Sequence, residues 1–338
     1  MDRTDIMSEQ WDCLIILDAC RYDYFDRLHR KYFDGRLMKK TSIGSCTNEW
    51  RDKSFPDYYD DVVYISANPQ ISANLPVYGY LASEHFHKVH EIWKTGWDSE
   101  TGTVLPETLT KAAVEIIKDN PGKRFIIHYL QPHAPYLMPE IEPHGYDTGD
   151  IHAPKRLAGS DKYGKSSALK KWLLKNLLKL FKNTNILTNY PEWILRQLLL
   201  MPPGCAMDAA RRKYGRKMLP KAYEATLDRT LAQVAVLLKH LTGRIVITAD
   251  HGELLGENRL YAHPYGSLNP TLIEVPWLII EKGQKDTDTE KPSTKIEFTH
   301  PGADEKPSQR TAGPADGAET ETEQEELKRK LKSLGYYD

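Results

Sequence analysis

Short apolar runs alternate with helical patterns along most of the chain. Five runs can form buried strands: Cys13–Leu17, Phe125–Leu130 and Ile245–Thr248, and, more weakly, Val62–Ser66 and Trp277–Ile280. Runs that are apolar on both faces are typical of parallel sheets covered by helices on both sides. Between the runs, Thr108–Lys118 and Pro220–Leu241 carry apolar residues at helical spacing. The pattern predicts an α/β fold with a mostly parallel central sheet and helices on both faces.

The last part of the sequence has a different pattern. Residues 284–323 are rich in Thr, Glu, Pro, Gly and Asp and hold few large apolar side chains, so we expect a disordered linker. A helical face with three leucines follows: Leu327, Leu331 and Leu334. Gly335 can cap the end of that helix. We therefore predict a main domain at 1–283, a linker, and a C-terminal helix within 324–338.

Charge is distributed unevenly, although the 338 residues have a formal net charge of only -1. Residues 155–217 contain fifteen Lys or Arg and three Asp or Glu, a net of +12, so the remainder sums to -13. We interpret this basic block as a helical insertion or cap on the main domain. Because the overall charge is close to zero, nothing favours a global attraction to nucleic acid, and we expect no such partner.

The basic block contains one amphipathic segment, Leu169–Lys182. One broad helical face is shared by Leu169, Trp172, Leu173, Leu177, Leu180 and Phe181, and the lysines occupy much of the remainder. This composition is typical of a helix at a membrane interface. Three interpretations stay open: a cap that packs its apolar face on the main domain, a helix that contacts an anionic membrane, and an oligomer interface or anionic-polymer groove.

Several features bear on the cellular compartment. The sequence has no run of about 18 apolar residues that would span a bilayer. Residues 1–13 are polar and acidic, unlike a signal peptide. Cys13, Cys20, Cys46 and Cys205 form no CxxC pair. We expect a reducing, cytoplasmic location, with membrane association if the amphipathic segment contacts lipid.

Three of the predicted strands run into residues of the types that bind metals. These residues are Asp18, His133 and the run Asp250-His251-Gly252-Glu253. In open parallel sheets, sites form at the carboxyl ends of the strands. Alone, each residue is ordinarily a cap or loop residue, but carboxylates beside an Asp-His pair indicate a site for Zn, Mn, Mg or Ca. His263 follows closely enough to return to the same pocket.

The segment Thr41–Trp50 supplies three small nucleophiles: Ser45, Cys46 and Thr47. A hydroxyl bound to a metal loses its proton more readily and can attack phosphorus or sulfur. The segment can also be a polar turn with a helix N-cap at Thr47. That structural role is compatible with chemistry, because a helix N-terminus stabilises an anion.

The motifs LDACRYD, TSIGSCTNEW, QPHAPY, ADHGE, AHPYG and EVPWLII occur in an order that resembles the alkaline phosphatase superfamily, on its sulfatase-like branch. The resemblance covers roughly Trp11–Ile280 and the final Leu-Gly-Tyr helix, and leaves 155–217 outside. It implies a metal-dependent hydrolase or transferase that acts on phosphate esters. If the segment Leu169–Lys182 contacts a membrane, we expect the substrate to be linked to a lipid or a surface glycan.

The resemblance also implies roles for individual residues. The implied metal ligands are Asp18, Thr47, Asp250 and His251. Thr47 is then the nucleophile as well. His133 and His263 would bind substrate oxygens, protonate the leaving group, or bind a second metal. No Asp partner for that second metal is evident, so we predict one tight site and leave a second open.

This sequence departs from the sulfatase pattern in ways that affect the chemistry. Sulfatases convert a Cys or Ser within C/S-x-P-x-R to formylglycine, but Cys46 is followed by neither that Pro nor that Arg. Leu17 precedes Asp18, so the usual acidic pair is also missing. An unmodified Thr47 is therefore a better candidate for the nucleophile than a formylglycine made from Cys46. Two alternatives are a sulfuric-ester hydrolase without formylglycine and a non-catalytic protein that binds anionic glycans or membranes. For Arg21, we favour a structural pair with Asp23.

Overall fold

The structure, a computed structural model, describes residues 3–138, 168–181, 190–283 and 322–336. The strands in these ranges are β1 Cys13–Leu17, β2 Arg36–Thr41, β3 Tyr59–Ser66, β4 Phe86–Glu91, β5 Trp97–Asp98, β6 Thr103–Val104, β7 Arg124–Tyr129, β8 Gly243–Thr248, β9 Leu254–Leu255, β10 Tyr261–Ala262 and β11 Glu274–Lys282. The α-helices are α1 Tyr22–Leu28, α2 Thr47–Ser54, α3 Ile92–Thr95, α4 Pro106–Asp119, α5 Ala168–Phe181, α6 Tyr190–Leu198, α7 Ala206–Tyr214, α8 Leu219–Leu238, α9 Pro270–Ile273 and α10 Glu323–Leu334.

Seven strands form one sheet in the order β2-β11-β8-β1-β7-β3-β4. The central strand β1 pairs in parallel with β7 and β8, and Ile15 lies opposite Ile127 and Ile247 in the two registers. β11 runs antiparallel to both of its neighbours, β2 and β8, and the other pairings in this sheet are parallel. The predicted α/β class with a mostly parallel sheet is confirmed, and all five predicted strands are present.

Alternate residues of the central strands enter two separate apolar layers. Ile15 and Ile127 pack in the layer that includes buried side chains of α1, α4, α8 and α10. Leu14 and Ile126 pack in the opposite layer, which includes Trp50 of α2. Because both faces are covered, the central strands carry apolar residues on both faces. This is why the sequence shows them as continuous runs.

Two further strands, β2 and β4, lie at the edges of the sheet. Their sequences, RLMKKT and FHKVHE, are mostly polar, and their residues are largely half-buried or exposed. Charged side chains on an edge strand discourage pairing with other chains. A search for buried apolar runs cannot detect such strands, and the sequence analysis did not predict them.

The C-terminal helix α10 lies where the leucine pattern places it. It begins with a capping box formed by Thr322 and Glu325, and Gly335 follows its last turn in the left-handed conformation, with φ of 95°. All three of its leucines are buried in the same layer as α8. The predicted linker lies outside the described residues, apart from its last two positions.

The basic block forms α5, α6 and α7 where it is described. Among the α5 side chains that the structure describes, Leu174 is buried, whereas Leu169 and Trp172 of the predicted apolar face are 65% and 60% exposed. Trp193 of α6 and Met207 of α7 are buried instead. Among the described residues, no helix combines the length and apolarity that crossing a bilayer requires. All four cysteines are free.

Candidate active site

The predicted site residues meet at the carboxyl edge of the sheet. Asp18 follows β1, His128 is in β7, and Asp250 follows β8, and these three strands are neighbours. All three side chains are fully buried. One ligand atom from each lies within 4.8 Å of the others, so the three could hold one metal ion. We refer to Asp18, His128 and Asp250 as the first group.

Thr47 and His251 adjoin the first group. Thr47 Oγ1 donates to Asp250 Oδ2 at 2.8 Å and lies 3.2 Å from His251 Nε2. His251 Nε2 lies 3.3 Å from Asp250 Oδ2 and 3.8 Å from Asp18 Oδ1. The structure therefore brings together the four residues predicted to bind one metal. It also adds His128, which the sequence analysis counted only as part of a strand.

Thr47 is the first residue of α2, and Cys46 occupies the N-cap position that the sequence analysis gave to Thr47. The N–H groups of a first helical turn have no partner within the helix, and the helix dipole places partial positive charge there. A negatively charged group next to Thr47 would therefore be stabilised by the end of α2.

The backbone fixes which nitrogen of His251 faces the site. His251 Nδ1 lies 2.8 Å from the carbonyl oxygen of Gly252, so Nδ1–H donates and Nε2 keeps its lone pair for a ligand. Gly252 is required by close packing, since a Cβ at this position would lie 2.0 Å from the carbonyl oxygen of Thr271. The sequence analysis noted this Gly, and the structure shows the close approach of two backbones here.

Asp250 is held by two backbone donors. Its Oδ1 accepts from the N–H of Ala19 at 3.0 Å and from the N–H of His251 at 2.9 Å. Ala19 has φ of 59°, a left-handed conformation that is uncommon outside glycine. This turn after β1 points the Ala19 N–H at Asp250 and leaves Oδ2 of Asp250 for Thr47.

A second group consists of His133, Glu253 and His263, whose ligand atoms also lie within 4.8 Å of one another. The antiparallel hairpin β9–β10 explains part of this arrangement, because Leu254 pairs with Ala262 and so brings the residues on either side together. His263 Nδ1 lies 3.1 Å from Glu253 Oε1. His133 Nδ1 lies 2.6 Å from the carbonyl oxygen of Ala134, which leaves Nε2 free to face the group.

The acidic partner missing from the sequence analysis is therefore Glu253. It lies in the quoted ADHGE motif, but nothing in the sequence alone shows that a residue three positions after Asp250 faces His133 and His263. The short hairpin between Glu253 and His263 was not predicted. Without that hairpin, nothing in the sequence placed Glu253 close to the two histidines.

Several buried atoms in the two groups have no hydrogen-bond partner among the described residues: Asp18 Oδ1, His128 Nε2 and Glu253 Oε2. Burying a carboxylate oxygen without a partner is costly, and a bound cation removes that cost. Carboxylate oxygens combined with imidazole nitrogens are a ligand set that suits zinc and similar divalent ions. The residues present thus fit a divalent cation in the first group, and the second group offers a further position.

Burial and mutual repulsion perturb the titration of these groups. Burial, and then the charge of Asp250, raise the pKa of Asp18 to about 8. Burial lowers the pKa of His128 to about 4. Burial also lowers the pKa of His251 well below its ordinary value, and the neighbouring His263 adds to this. Burial also acts to lower the pKa of His263, but Glu253, Asp18 and Asp250 together outweigh burial, and the pKa of His263 is raised.

The two other nucleophile candidates have different surroundings. Ser45 Oγ lies 2.9 Å from Glu49 Oε2 and 2.8 Å from the carbonyl oxygen of Pro264, and it accepts from the N–H of Ser267 at 3.0 Å. It therefore links two loops. Cys46 Sγ lies 2.9 Å from the side-chain oxygen of Asn48, and burial raises the pKa of this thiol to about 12. Neither side chain contacts the first group as Thr47 does.

A cavity of about 280 Å³ opens beside the second group. His133 and His263 line it on one side, and Cys46 and Asn48 lie near the start of α2. The basic block supplies Cys205 and Met207, and the C-terminal segment supplies Tyr336. No described residue of the basic block is in either group. The block therefore shapes the cavity rather than the metal ligands.

Arg21 has the structural role that the sequence analysis favoured. Its guanidinium donates twice to Asp23, at 2.9 Å each, and pairs with Glu257. It also donates to the carbonyl oxygen of Glu253 at 3.3 Å. Arg21 thus connects the turn after β1 to the segment that holds the second group.

Residues 39–301 match the family model described as Sulfatase, which is more than half of the chain. The chain therefore belongs to the sulfatase family, and the prediction of a sulfatase-like member of the alkaline phosphatase superfamily is confirmed. No curated protein matches the chain.

Three solved structures have similar backbones at low sequence identity. The C-terminal periplasmic domain of phosphoethanolamine transferase EptC from Campylobacter jejuni is 16% identical, with 79% of this chain and 78% of that chain covered and a TM-score of 0.41. The C-terminal periplasmic domain of EcEptC from Escherichia coli, in complex with Zn, is 13% identical, with 82% and 75% covered and a TM-score of 0.44. Phosphonate monoester hydrolase SpPMH from Silicibacter pomeroyi is 16% identical, with 82% and 69% covered and a TM-score of 0.41.

Proposed function

We propose that this protein is a metal-dependent phosphoesterase or phosphotransferase in which Thr47 is the nucleophile. The observation that supports this most directly is the placement of Thr47 Oγ1, 2.8 Å from Asp250 Oδ2 and 3.2 Å from His251 Nε2, at the first residue of a helix. A buried hydroxyl between a carboxylate and an imidazole, beside unpaired ligand atoms, is suited to attack an anionic ester.

The reaction has two steps. Thr47 Oγ1 attacks the phosphorus while Asp250 Oδ2 accepts the hydroxyl proton. The bond to the leaving oxygen breaks, and a phosphothreonine forms. A water molecule or an acceptor alcohol then attacks the same phosphorus and gives its proton to His263, which lost its own proton to the leaving oxygen in the first step. The bond between phosphorus and Thr47 Oγ1 breaks, and Thr47 Oγ1 takes back its proton from Asp250. A divalent cation held by the first group supplies polarisation of the phosphoryl oxygens and neutralises their growing negative charge.

We assign the proton for the leaving oxygen to His263. Burial lowers the pKa of His263, but Glu253, with Asp18 and Asp250, raises it above its ordinary value, so the imidazole is more readily protonated. His263 also lines the cavity, as His133 does, so a leaving group could reach it. When His133, Glu253 and His263 hold a second cation, His263 is a ligand instead of an acid.

Purified protein with Zn²⁺ or Mn²⁺ should be assayed on p-nitrophenyl phosphate, bis-p-nitrophenyl phosphate and p-nitrophenyl sulfate. We expect turnover of a phosphate ester, and Thr47→Ala should lower kcat by about 10³-fold or more, because removal of a nucleophile usually costs at least that much. Cys46→Ala is the matched control and should keep most of the activity. If Cys46→Ala abolishes turnover and Thr47→Ala does not, the nucleophile is misassigned.

The same assay separates the alternatives. Preferred cleavage of the sulfate ester would favour a sulfuric-ester hydrolase that works without formylglycine. Binding of anionic glycans with no turnover of any ester would favour a non-catalytic role. Neither alternative has a structural observation in its favour beyond those that also support phosphate chemistry.

We further propose that α5 faces an anionic membrane, which would give the enzyme access to lipid-linked phosphate esters. Leu169 and Trp172 lie one helical turn apart and are both strongly exposed. Lys170 Nζ lies 3.5 Å from the carbonyl oxygen of Leu200, another exposed apolar residue, so one surface continues from α5 to the end of α6. Lys171 and Lys175 of the same helix are exposed, and their charge is complementary to anionic lipid headgroups.

Sedimentation with liposomes tests this surface. We expect wild-type protein to bind phosphatidylglycerol vesicles more than phosphatidylcholine vesicles, and binding should weaken in high salt. Trp172→Ala should reduce binding while hydrolysis of a small soluble ester is unchanged. The control is Trp93→Phe, which alters a buried tryptophan far from this surface in sequence. Negligible sedimentation with both vesicle types would contradict the membrane assignment. The cytoplasmic location stays a prediction from the sequence.

A further inference from the structure

Tyr336, just after α10, contacts both groups of candidate ligands. Its hydroxyl donates to Asp18 Oδ2 at 3.2 Å. Its ring stacks on the imidazole of His133, with centroids 5.0 Å apart and planes 28° apart. Asp18 belongs to the first group and His133 to the second. One side chain from the C-terminal segment therefore touches a member of each.

The two oxygens of Asp18 have different surroundings. Oδ2 accepts from the side-chain amide of Asn68 and from the hydroxyl of Tyr336. Oδ1 is buried without a hydrogen-bond partner among the described residues and lies 3.8 Å from His251 Nε2. Two donors on one oxygen hold the carboxylate in one orientation. The other oxygen is thereby left as the ligand atom.

The backbone of Tyr336 is fixed by the end of α10. The N–H of Gly335 donates to the carbonyl of Lys332 at 3.1 Å, and the N–H of Tyr336 donates to the carbonyl of Leu331 at 3.0 Å. Together with the left-handed Gly335, these bonds form a helix C-cap of the Schellman type. Lys330 Nζ adds an anchor by donating to the carbonyl of Trp93 at 2.9 Å. Tyr336 is thus directed into the site by a rigid element.

We propose that Tyr336 is a positioning residue that orients Asp18 for cation binding, so that the C-terminal helix completes the metal site. This inference rests on the proposed metal dependence but not on the identity of the nucleophile. The hydroxyl acts on the first group through Asp18 Oδ2. The ring acts on the second group by fixing the plane of His133. Removing a side chain that orients a metal ligand usually lowers the metal affinity by about 10- to 100-fold.

The test is cation affinity of the full-length protein, measured by calorimetry with Zn²⁺ and Mn²⁺ after removal of metal by a chelator. Tyr336→Phe removes only the hydroxyl, and we expect the affinity of the first group to fall by about 10- to 100-fold. Tyr336→Leu also removes the stacked ring and should weaken both positions. The control is Tyr58→Phe, since Tyr58 is 57% exposed, and it should bind cations like the wild type.

Thermal unfolding of each metal-free variant shows whether it is folded. Wild-type cation affinity in a folded Tyr336→Phe protein would overturn the inference. If Tyr336→Phe does not fold, Tyr336→Leu is measured in its place, and undiminished affinity in that folded variant would overturn the inference equally. Failure of the nucleophile assignment is a separate outcome, because it appears as activity in Thr47→Ala and leaves these affinities unchanged.

Discussion

Replacing Asp18 by Asn should remove a pH dependence of stability from the metal-free protein. In the folded chain, burial and the charge of Asp250 raise the pKa of Asp18 from 3.8 to about 8. Between these two values the folded state keeps the Asp18 proton and the unfolded state has lost it. The folded state therefore binds more protons, and its stability must fall as the pH rises through this window.

The magnitude follows from the size of the shift. One proton difference changes the free energy of unfolding by about 1.4 kcal/mol per pH unit, so the wild type should lose about 3 kcal/mol relative to Asp18→Asn between pH 5 and pH 7. His128 and His251 titrate in both proteins, and the comparison of the two cancels most of their contribution. Above pH 8 the difference should level off, because Asp18 is then ionised in both states.

The assay is urea unfolding in a chelator at several pH values, with Asp57→Asn as a control for an exposed carboxylate. A saturating cation should abolish the loss of wild-type stability at higher pH, because the cation binds the ionised form of Asp18. A cation concentration of 100 times Kd adds about 2.7 kcal/mol to the free energy of unfolding by mass action. The same cation should stabilise Asp18→Asn much less. Parallel stability curves for wild type and Asp18→Asn in chelator would refute the reasoning.

Three other substitutions test separate parts of the site. Glu253→Gln should remove cation binding by the second group, and titration calorimetry should show one site fewer while the first group is retained. Gly252→Ala should reduce both activity and cation affinity, because its Cβ would lie 2.0 Å from the carbonyl oxygen of Thr271; a variant with wild-type kinetics would disprove this. Leu331→Ala, at a fully packed position of α10, should cost about 2–5 kcal/mol in chemical unfolding and also weaken cation binding. Unchanged cation affinity in a folded Leu331→Ala protein would show that the packing of α10 does not affect cation binding.

The sequence predicts the centre of the fold and of the site well because both depend on local signals. The central strands are continuous apolar runs, and Asp18 and Asp250 stand directly at their ends. Thr47 and His251 lie in short motifs with few alternative interpretations. Each of these four candidate site residues lies next to the strand or helix that positions it.

The residues that the sequence analysis missed depend on contacts between distant segments. Asn68 and Tyr336 meet at Asp18 although each is far from it along the chain. His128 offered a local signal, since an imidazole in an otherwise apolar run needs a partner, and here Nδ1 faces the hydroxyl of Tyr64 at 2.9 Å. The exposure of Leu169 and Trp172 in α5 also could not be predicted from the sequence. Helical periodicity identifies an apolar face but not whether the face is covered.

The position of α10 has a consequence for how the protein could be divided. The helix packs noncovalently against the main domain, and the connecting chain keeps it nearby. It therefore acts like a peptide ligand that is held at high local concentration. Cutting the chain within 284–321 would turn that intramolecular association into a bimolecular one. A synthetic peptide of residues 322–336 should then restore cation affinity to a chain shortened at 283, in a dose-dependent manner, and the same peptide with Tyr336→Phe should restore less.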